Sequence, residues 1–246
     1  MKESAKFLIC WDLDETLGHF APLVYDMDGE ERPRWDKDVY LAYGIQDVLD
    51  KFSEKNGFRS CVTTASMRDY AEFALEQTNL RSYFSDLYAR DVTAPYYETT
   101  RLYVGKTYED VAWEHIPYDD YPNRMVVIGD KVEDNPIDMR ELVHIYSPGI
   151  YFNAMVIRET LVALLEAGND SFRKGFDVLA SRGTREFFDN SSIDAYYHVD
   201  IGSGIEITLS KTKGSGPLND EDGNIPQVYI RSAEDFRKQP TLVPVT

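Results

Sequence analysis

Asp12 and Asp14, two carboxylates with one residue between them, stand where the apolar run Phe7-Leu8-Ile9-Cys10-Trp11 stops. Carboxylates are costly in apolar surroundings unless they are paired or bound to a cation. In an open α/β sheet, ligands sit at the carboxyl ends of strands. The two acids therefore read as the mouth of a crevice, against the plainer reading that an Asp at a strand end caps the next turn. A second apolar run, Met125-Val126-Val127-Ile128-Gly129, also ends in acids, Asp130 and Asp134. One carboxylate from each run could share a hard cation, and Mg2+ prefers a few carboxylates, water and substrate phosphate to a full protein cage. Between them, Thr63-Thr64-Ala65-Ser66 closes a third apolar run and opens a helical pattern. Hydroxyls and backbone N–H groups at a helix start suit a phosphate, although Ser and Thr serve as plain helix caps about as often. Lys106 precedes a further helical pattern; such a lysine is usually just solvated, but here its place between the motifs suggests a third contact to phosphate.

The elements that must carry these residues can be read from hydrophobic period. Phe7–Trp11, 58–65, 125–129 and 143–146 read as buried strands. Shorter strands are expected over 86–90 and 101–104. Helices are expected over 44–56, from Ser66 onward, from Gly105 onward, and over 153–167 and 171–180. Ser66 with Asp69, and Thr107 with Asp110, have the spacing of a capping box. Residues 19–25 and 32–35 read as two short strands around a turn that contains Gly29. A hairpin is expected over 196–209, and 213–224 reads as a loop. The fold class expected is α/β with a parallel central sheet, a Rossmann-like core on the resemblance described next.

Asp12-Leu13-Asp14-Glu15-Thr16 resembles the first motif of the haloacid dehalogenase-like (HAD) phosphohydrolases. The resemblance extends, in order, through Thr64, Lys106 and Gly129-Asp130-x-x-x-Asp134, and covers about residues 6 to 148. It implies that Asp12 attacks phosphorus and becomes an aspartyl-phosphate, and that Asp14 protonates the leaving alcohol and then activates water. It further implies Thr64 and Lys106 on the phosphoryl oxygens, Mg2+ held by Asp12, Asp130 and the carbonyl of Asp14, and Asp134 as a helper. The chemistry agrees with the spacing, because a carboxylate is an adequate nucleophile once the phosphoryl charge is neutralised. The stretch 19–35 then corresponds to a β-hairpin flap, with little room for a large cap. Asp12 to His19, Thr64 to Ala71, and Tyr103-Val104-Gly105-Lys106 are also similar to the carboxy-terminal-domain phosphatases, which act on phosphoserine in proteins. The last motif departs from that family, which places Asp-Asn-Ser-Pro directly after the strand.

Composition sets bounds. The chain has 246 residues, of which 43% are hydrophobic and 28% charged, an ordinary globular balance. A formal net charge of −17 repels bare nucleic acid and anionic lipid, so neither is an expected partner. The first apolar run is too short for a leader, and cytoplasmic residence is the expectation. The two cysteines, Cys10 and Cys61, both fall inside apolar runs and read as buried free thiols; the HAD resemblance implies that their strands are neighbours and the thiols close together. Residues 1–148 are expected to form the catalytic core. Residues 149–246 are expected to be an α+β extension packed on it, with the 196–209 hairpin bordering the crevice and no chemistry of its own. The function expected is magnesium-dependent hydrolysis of a phosphomonoester, with phosphoserine or phosphothreonine in proteins as the substrate class. The alternatives are a small-metabolite or nucleotide phosphatase with the same residues, and a catalytically degenerate binding module.

Overall fold

The computed structural model describes residues 6–33, 37–94, 105–131, 139, 141–186, 193–213, 224–230 and 236–244. The strands are β1 Phe7–Trp11, β2 Gly18–His19, β3 Val39–Leu41, β4 Phe58–Thr63, β5 Asp86–Tyr88, β6 Met125–Gly129, β7 Val143–Tyr146, β8 Thr184–Glu186, β9 Ile193–Asp200, β10 Glu206–Lys213, β11 Asn224–Ile230 and β12 Thr241–Val243. The helices are α1 Leu23–Asp28, α2 Ile45–Lys51, α3 Arg68–Gln77, α4 Arg90–Thr93, α5 Glu109–His115, α6 Tyr121–Arg124, α7 Met155–Ala167 and α8 Phe172–Arg182.

Every residue of β1, β6 and β7 is buried. Strands covered on both faces read as unbroken apolar runs, which is why these were legible. They lie in one sheet whose order among the described residues is β5-β4-β1-β6-β7-β11-β10-β9-β8. From β5 to β11 each neighbouring pair is parallel, and the last three strands are antiparallel. The chain passes from β1 to β4 on one side and later returns to β6 on the other. That reversal makes the carboxyl end of β1 a topological switch point, the usual place for a ligand crevice in such sheets. The fold is therefore α/β with a mostly parallel central sheet, as the sequence predicts.

In the β1–β4 register Cys10 faces Cys61, and their sulfurs lie 3.5 Å apart. Both are fully buried free thiols. Burial, and then the hydrogen bond to Cys10, push the Cys61 thiol well above its ordinary range, so reactive thiolate is scarce. A thiol reagent at neutral pH is expected to label neither cysteine in the native protein and both after denaturation. Rapid native labelling of either would contradict this packing.

Residues 149–246 lengthen the same sheet. β11 enters parallel to β7, from Gln227 opposite His144 to Tyr229 opposite Tyr146, and β10, β9 and β8 follow. The β9–β10 hairpin thus sits several strands away from β1 and does not border its carboxyl end. The final strand takes another course: β12 pairs with β3, and β3 with β2, in a separate three-stranded sheet. No helix among the described residues is long and apolar enough to cross a membrane.

The flap differs from the sequence reading. Residues 23–28 form α1, not a strand, with Pro22 at its N-cap and Gly29 ending it at φ 70. Proline's fixed φ favours a helix start, and glycine takes the left-handed end without strain. Arg32 does not extend a strand either; its guanidinium makes a paired contact with Asp26 and donates to the Lys37 carbonyl at 2.6 Å, folding the loop back. The flap strands are β2 and β3. The strand expected over 86–90 stops at Tyr88, because Ala89 is the N-cap of α4, which begins at Arg90, and the one over 101–104 lies outside the described residues.

Candidate active site

Asp12 is the first residue beyond β1, and its N–H still donates to the Ile128 carbonyl at 2.8 Å. That bond carries the β1–β6 ladder one step past the strand and fixes the carboxylate at the sheet's end. Asp12 is 7% exposed. Its Oδ1 accepts from Lys106 Nζ at 2.5 Å, and the same ammonium donates to the Thr63 carbonyl at 3.0 Å. Lys106 is 1% exposed. A lysine so deep needs a partner, and this one joins the carboxyl ends of β1 and β4. Its segment is tied down by Thr107, whose N–H donates to the Thr93 carbonyl at 2.8 Å and whose hydroxyl donates to the Val92 carbonyl at 2.9 Å. The Thr107 hydroxyl therefore anchors the lysine segment instead of capping α5, which starts with no side-chain cap.

Thr64 lies beside this pair, 2% exposed. Its N–H donates to Tyr88 O at 2.9 Å, its carbonyl accepts from the Thr93 hydroxyl at 2.6 Å, and its Oγ1 accepts from Ser66 N–H at 3.1 Å. Since Oγ1 acts here as an acceptor, its own proton can be given to another oxygen. Arg90 clamps the following turn through Nε to the Ala65 carbonyl at 2.7 Å.

Asp14 stands on the loop that leads to β2. Glu15 takes a left-handed φ of 60 and donates its N–H to the Gly18 carbonyl at 2.7 Å, which makes the loop tight. Tyr70 donates its hydroxyl to Asp14 Oδ1 at 2.7 Å, and Ser66 donates to Oδ2 at 3.4 Å. Neither residue reads from the sequence as a partner of Asp14. Ser66 has cap spacing and Tyr70 falls on the apolar side of α3, yet α3 has no side-chain cap and both hydroxyls turn to Asp14. Burial raises the Asp14 carboxyl above the usual range. The Tyr70 and then the Ser66 hydrogen bonds pull it back, Glu15 pushes it up, and His19 pulls it down. A carboxyl held high is suited to donate a proton. Burial and the Asp14 charge keep the Tyr70 hydroxyl protonated.

Replacing Tyr70 with Phe removes a bond that favours the ionised carboxylate, so the Asp14 pKa rises further. If Asp14 is the proton donor, the alkaline limb of the pH–rate profile moves to higher pH in the Tyr70→Phe variant. An unmoved limb would separate Tyr70 from the acid. The stability sign is the same: a carboxyl whose folded pKa is raised loses stability as pH climbs from its unfolded pKa through its folded one. Asp14→Asn is therefore expected to melt no lower than the parent above that window, as thermal melts at several pH values would show.

Asp130 is the first residue beyond β6, at the same sheet end as Asp12, and its Oδ1 is sealed from solvent. Asp134 lies outside the described residues. Among the described residues no group of three His, Cys, Asp or Glu side chains is placed to hold a metal ion. The donor set still fits Mg2+, which takes hard oxygen ligands and keeps several waters. Charge points the same way. Asp12 and Asp130 follow neighbouring strands at one sheet end and Glu15 lies beside Asp14, so a phosphate anion entering here meets acids and is helped by a further cation.

Neither a family model nor a curated protein matches the chain. Solved structures that it is similar to include HAD-superfamily hydrolases. One is a haloacid dehalogenase-like hydrolase from Xanthomonas campestris, 15% identical, covering 59% of this chain and 84% of its own, with a TM-score of 0.40. Another is described as a predicted phosphoglycolate phosphatase, from Haemophilus somnus, 13% identical over 59% of this chain and 90% of its own, with a TM-score of 0.38. A third, the HAD-type hydrolase YfnB of Bacillus subtilis, was determined bound to magnesium; it is 13% identical over 57% of this chain and 87% of its own, with a TM-score of 0.38. Likeness this distant leaves the chemistry to be argued from the side chains.

Proposed function

We propose that the chain is a magnesium-dependent phosphomonoester hydrolase that works through an aspartyl-phosphate on Asp12. The observation that carries this reading is the buried Asp12, pinned by Lys106 at 2.5 Å at the sheet's switch point, with Asp14, whose carboxyl burial pushes up, two residues on. In the first step an Asp12 carboxylate oxygen attacks phosphorus, the ester P–O bond breaks, and the Asp14 proton goes to the leaving alcohol. In the second, ionised Asp14 takes a proton from water, water oxygen attacks phosphorus, and inorganic phosphate leaves Asp12 free. Lys106 and Thr64 hold the non-bridging oxygens, so that catalysis comes mainly from positioning and charge. Mg2+, held by Asp12, Asp130 and the Asp14 carbonyl, supplies charge neutralisation at the phosphoryl group when bound. On this reading residues 1–148 hold the chemistry and 149–246 shape access to it.

The similarity of residues 64–71 to the carboxy-terminal-domain phosphatases favours phosphoserine or phosphothreonine in a protein as substrate. Hydrolysis of a generic aryl phosphate, with and without Mg2+, tests the activity. A panel of phosphopeptides against phosphorylated metabolites and nucleotides then sorts the substrate class. No hydrolysis under any metal would overturn the enzyme reading in favour of a binding module.

A further inference from the structure

The flap sheet leads away from the candidate site to a cavity of about 790 Å3, lined by Tyr40, Tyr151, Phe152, Arg237 and Lys238 among others. Its position relative to Asp14 follows from the strand register. His19 Nδ1 lies 2.5 Å from Glu15 Oε1, beside Asp14. His19 is paired with Tyr40 across β2 and β3, and Tyr40 with Leu242 across β3 and β12. Val39 and Leu41 are buried, so Tyr40 alternates to the outer face, and its cross-strand partners share that face. Tyr40, one side of the cavity, therefore stands one strand spacing, about 5 Å between backbones, from His19.

The wall is built and not incidental. Lys238 N–H donates to the Tyr151 carbonyl at 2.9 Å, Asn153 N–H donates to the Phe236 carbonyl at 2.9 Å, and Phe152 and Arg237 form a bridge. The Arg237 guanidinium lies over the Phe152 ring at 5.8 Å. Tyr151 is 62% exposed, so its ring is open to a ligand. Tyr40 gives its hydroxyl to Asp38 at 3.1 Å, which leaves its ring as the surface it offers. In a chain of net charge −17, two adjacent cations among three aromatic rings are a local exception. Aromatic walls take flat apolar rings, and a guanidinium stacked on a ring is held ready for a carboxylate, sulfonate or phosphate.

The geometry points to a binding site for an aromatic anion. Resting on the hydrolase reading above, it is the subsite for the leaving-group end of the substrate. Such a ligand could be a small aromatic acid, or an aromatic residue next to an acidic one in a peptide.

Binding measured without turnover tests the pocket apart from the catalytic reading. The probes are naphthalene-2-sulfonate, its ring-only analogue 2-naphthol, the charge-only analogue cyclohexanesulfonate, and an end-blocked Glu-Tyr-Glu tripeptide. By calorimetry on the full chain, the sulfonate is expected to bind about tenfold tighter than either analogue. Arg237→Gln and Tyr151→Ser, both at exposed positions, are each expected to remove that margin while leaving the thermal melt unchanged. Binding of the tripeptide with the same sensitivity assigns the pocket to peptides, and its absence assigns the pocket to small ligands. Equal binding of all probes, or a margin untouched by both substitutions, would overturn the proposal. For the leaving-group role, Arg237→Gln should lower kcat/KM about tenfold for a sulfonated aryl phosphate and leave a short alkyl phosphate unchanged. If the sulfonate binds as expected and no phosphate ester is hydrolysed, the pocket stands and the hydrolase reading falls. If both esters are hydrolysed and Arg237→Gln slows them equally or not at all, the leaving-group role falls.

Discussion

Asp12→Asn is expected to lower turnover to the level of buffer. The amide is a poor nucleophile, and the substitution also removes the negative charge that holds Lys106 and, on the proposed mechanism, would draw Mg2+. It has a structural cost as well. Lys106 is 1% exposed and donates to Asp12 at 2.5 Å. With the carboxylate gone, a buried ammonium keeps an amide oxygen and the Thr63 carbonyl but no counter-charge. Removing one member of a buried pair costs about 3–5 kcal/mol, and the surviving hydrogen bonds place this case near the lower end. Urea denaturation followed by tryptophan fluorescence would show a midpoint that is lowered, with the fold retained. Appreciable activity in a clean preparation would remove Asp12 from the nucleophile's role.

Lys106→Met is expected to be damaging in both respects for the complementary reason. It strands the Asp12 carboxylate, 7% exposed, in a crevice that already holds Asp14 and Asp130. It also takes away the donor that links the β1 and β4 ends through the Thr63 carbonyl. A stability loss of about 3–5 kcal/mol follows from the uncompensated charge. A fall in kcat of about 10²–10³ follows if the ammonium also stabilises the phosphoryl oxygens. The double variant Asp12→Asn/Lys106→Met separates the two effects. Its stability should lie above the sum of the single losses, with a coupling of up to about 3 kcal/mol, while its turnover stays at background. Strictly additive stabilities would mean that the pair does not act as a pair.

The sequence made the ends of β1, β4 and β6 legible for one reason. Buried parallel strands are unbroken apolar runs, so acids or hydroxyls at their ends stand out. The burial of Cys10 and Cys61 was legible from the same runs, their closeness only through the HAD resemblance, and the structure places the two in register. What stayed hidden depends on contacts distant in the chain. Ser66 and Asp69 carry a local capping pattern, but the Ser66 hydroxyl turns to a carboxylate 52 positions away, and Tyr70 to the same one from 56 away. The flap was misread because α1 is only six residues long, too short for its period to show. β12 has three residues, all at least partly exposed, so no apolar run marks it, and its partner strand lies about two hundred residues earlier. Its return to the flap is what brings Arg237 and Lys238 near Tyr40.

In the proposed mechanism Asp12 carries the phosphoryl group. Asp14→Asn offers the direct measurement. Without its carboxylate the second step lacks a base, while an aryl phosphate with a good leaving group can still complete the first step unprotonated. Asp14→Asn protein mixed with such an ester and Mg2+, quenched in acid, digested and weighed by mass spectrometry, is predicted to carry one phosphoryl group on the peptide that contains Asp12. The same peptide from the Asp12→Asn protein is predicted to carry none. No adduct, or an adduct on another peptide, would contradict the assignment of Asp12 as nucleophile and with it the proposed mechanism.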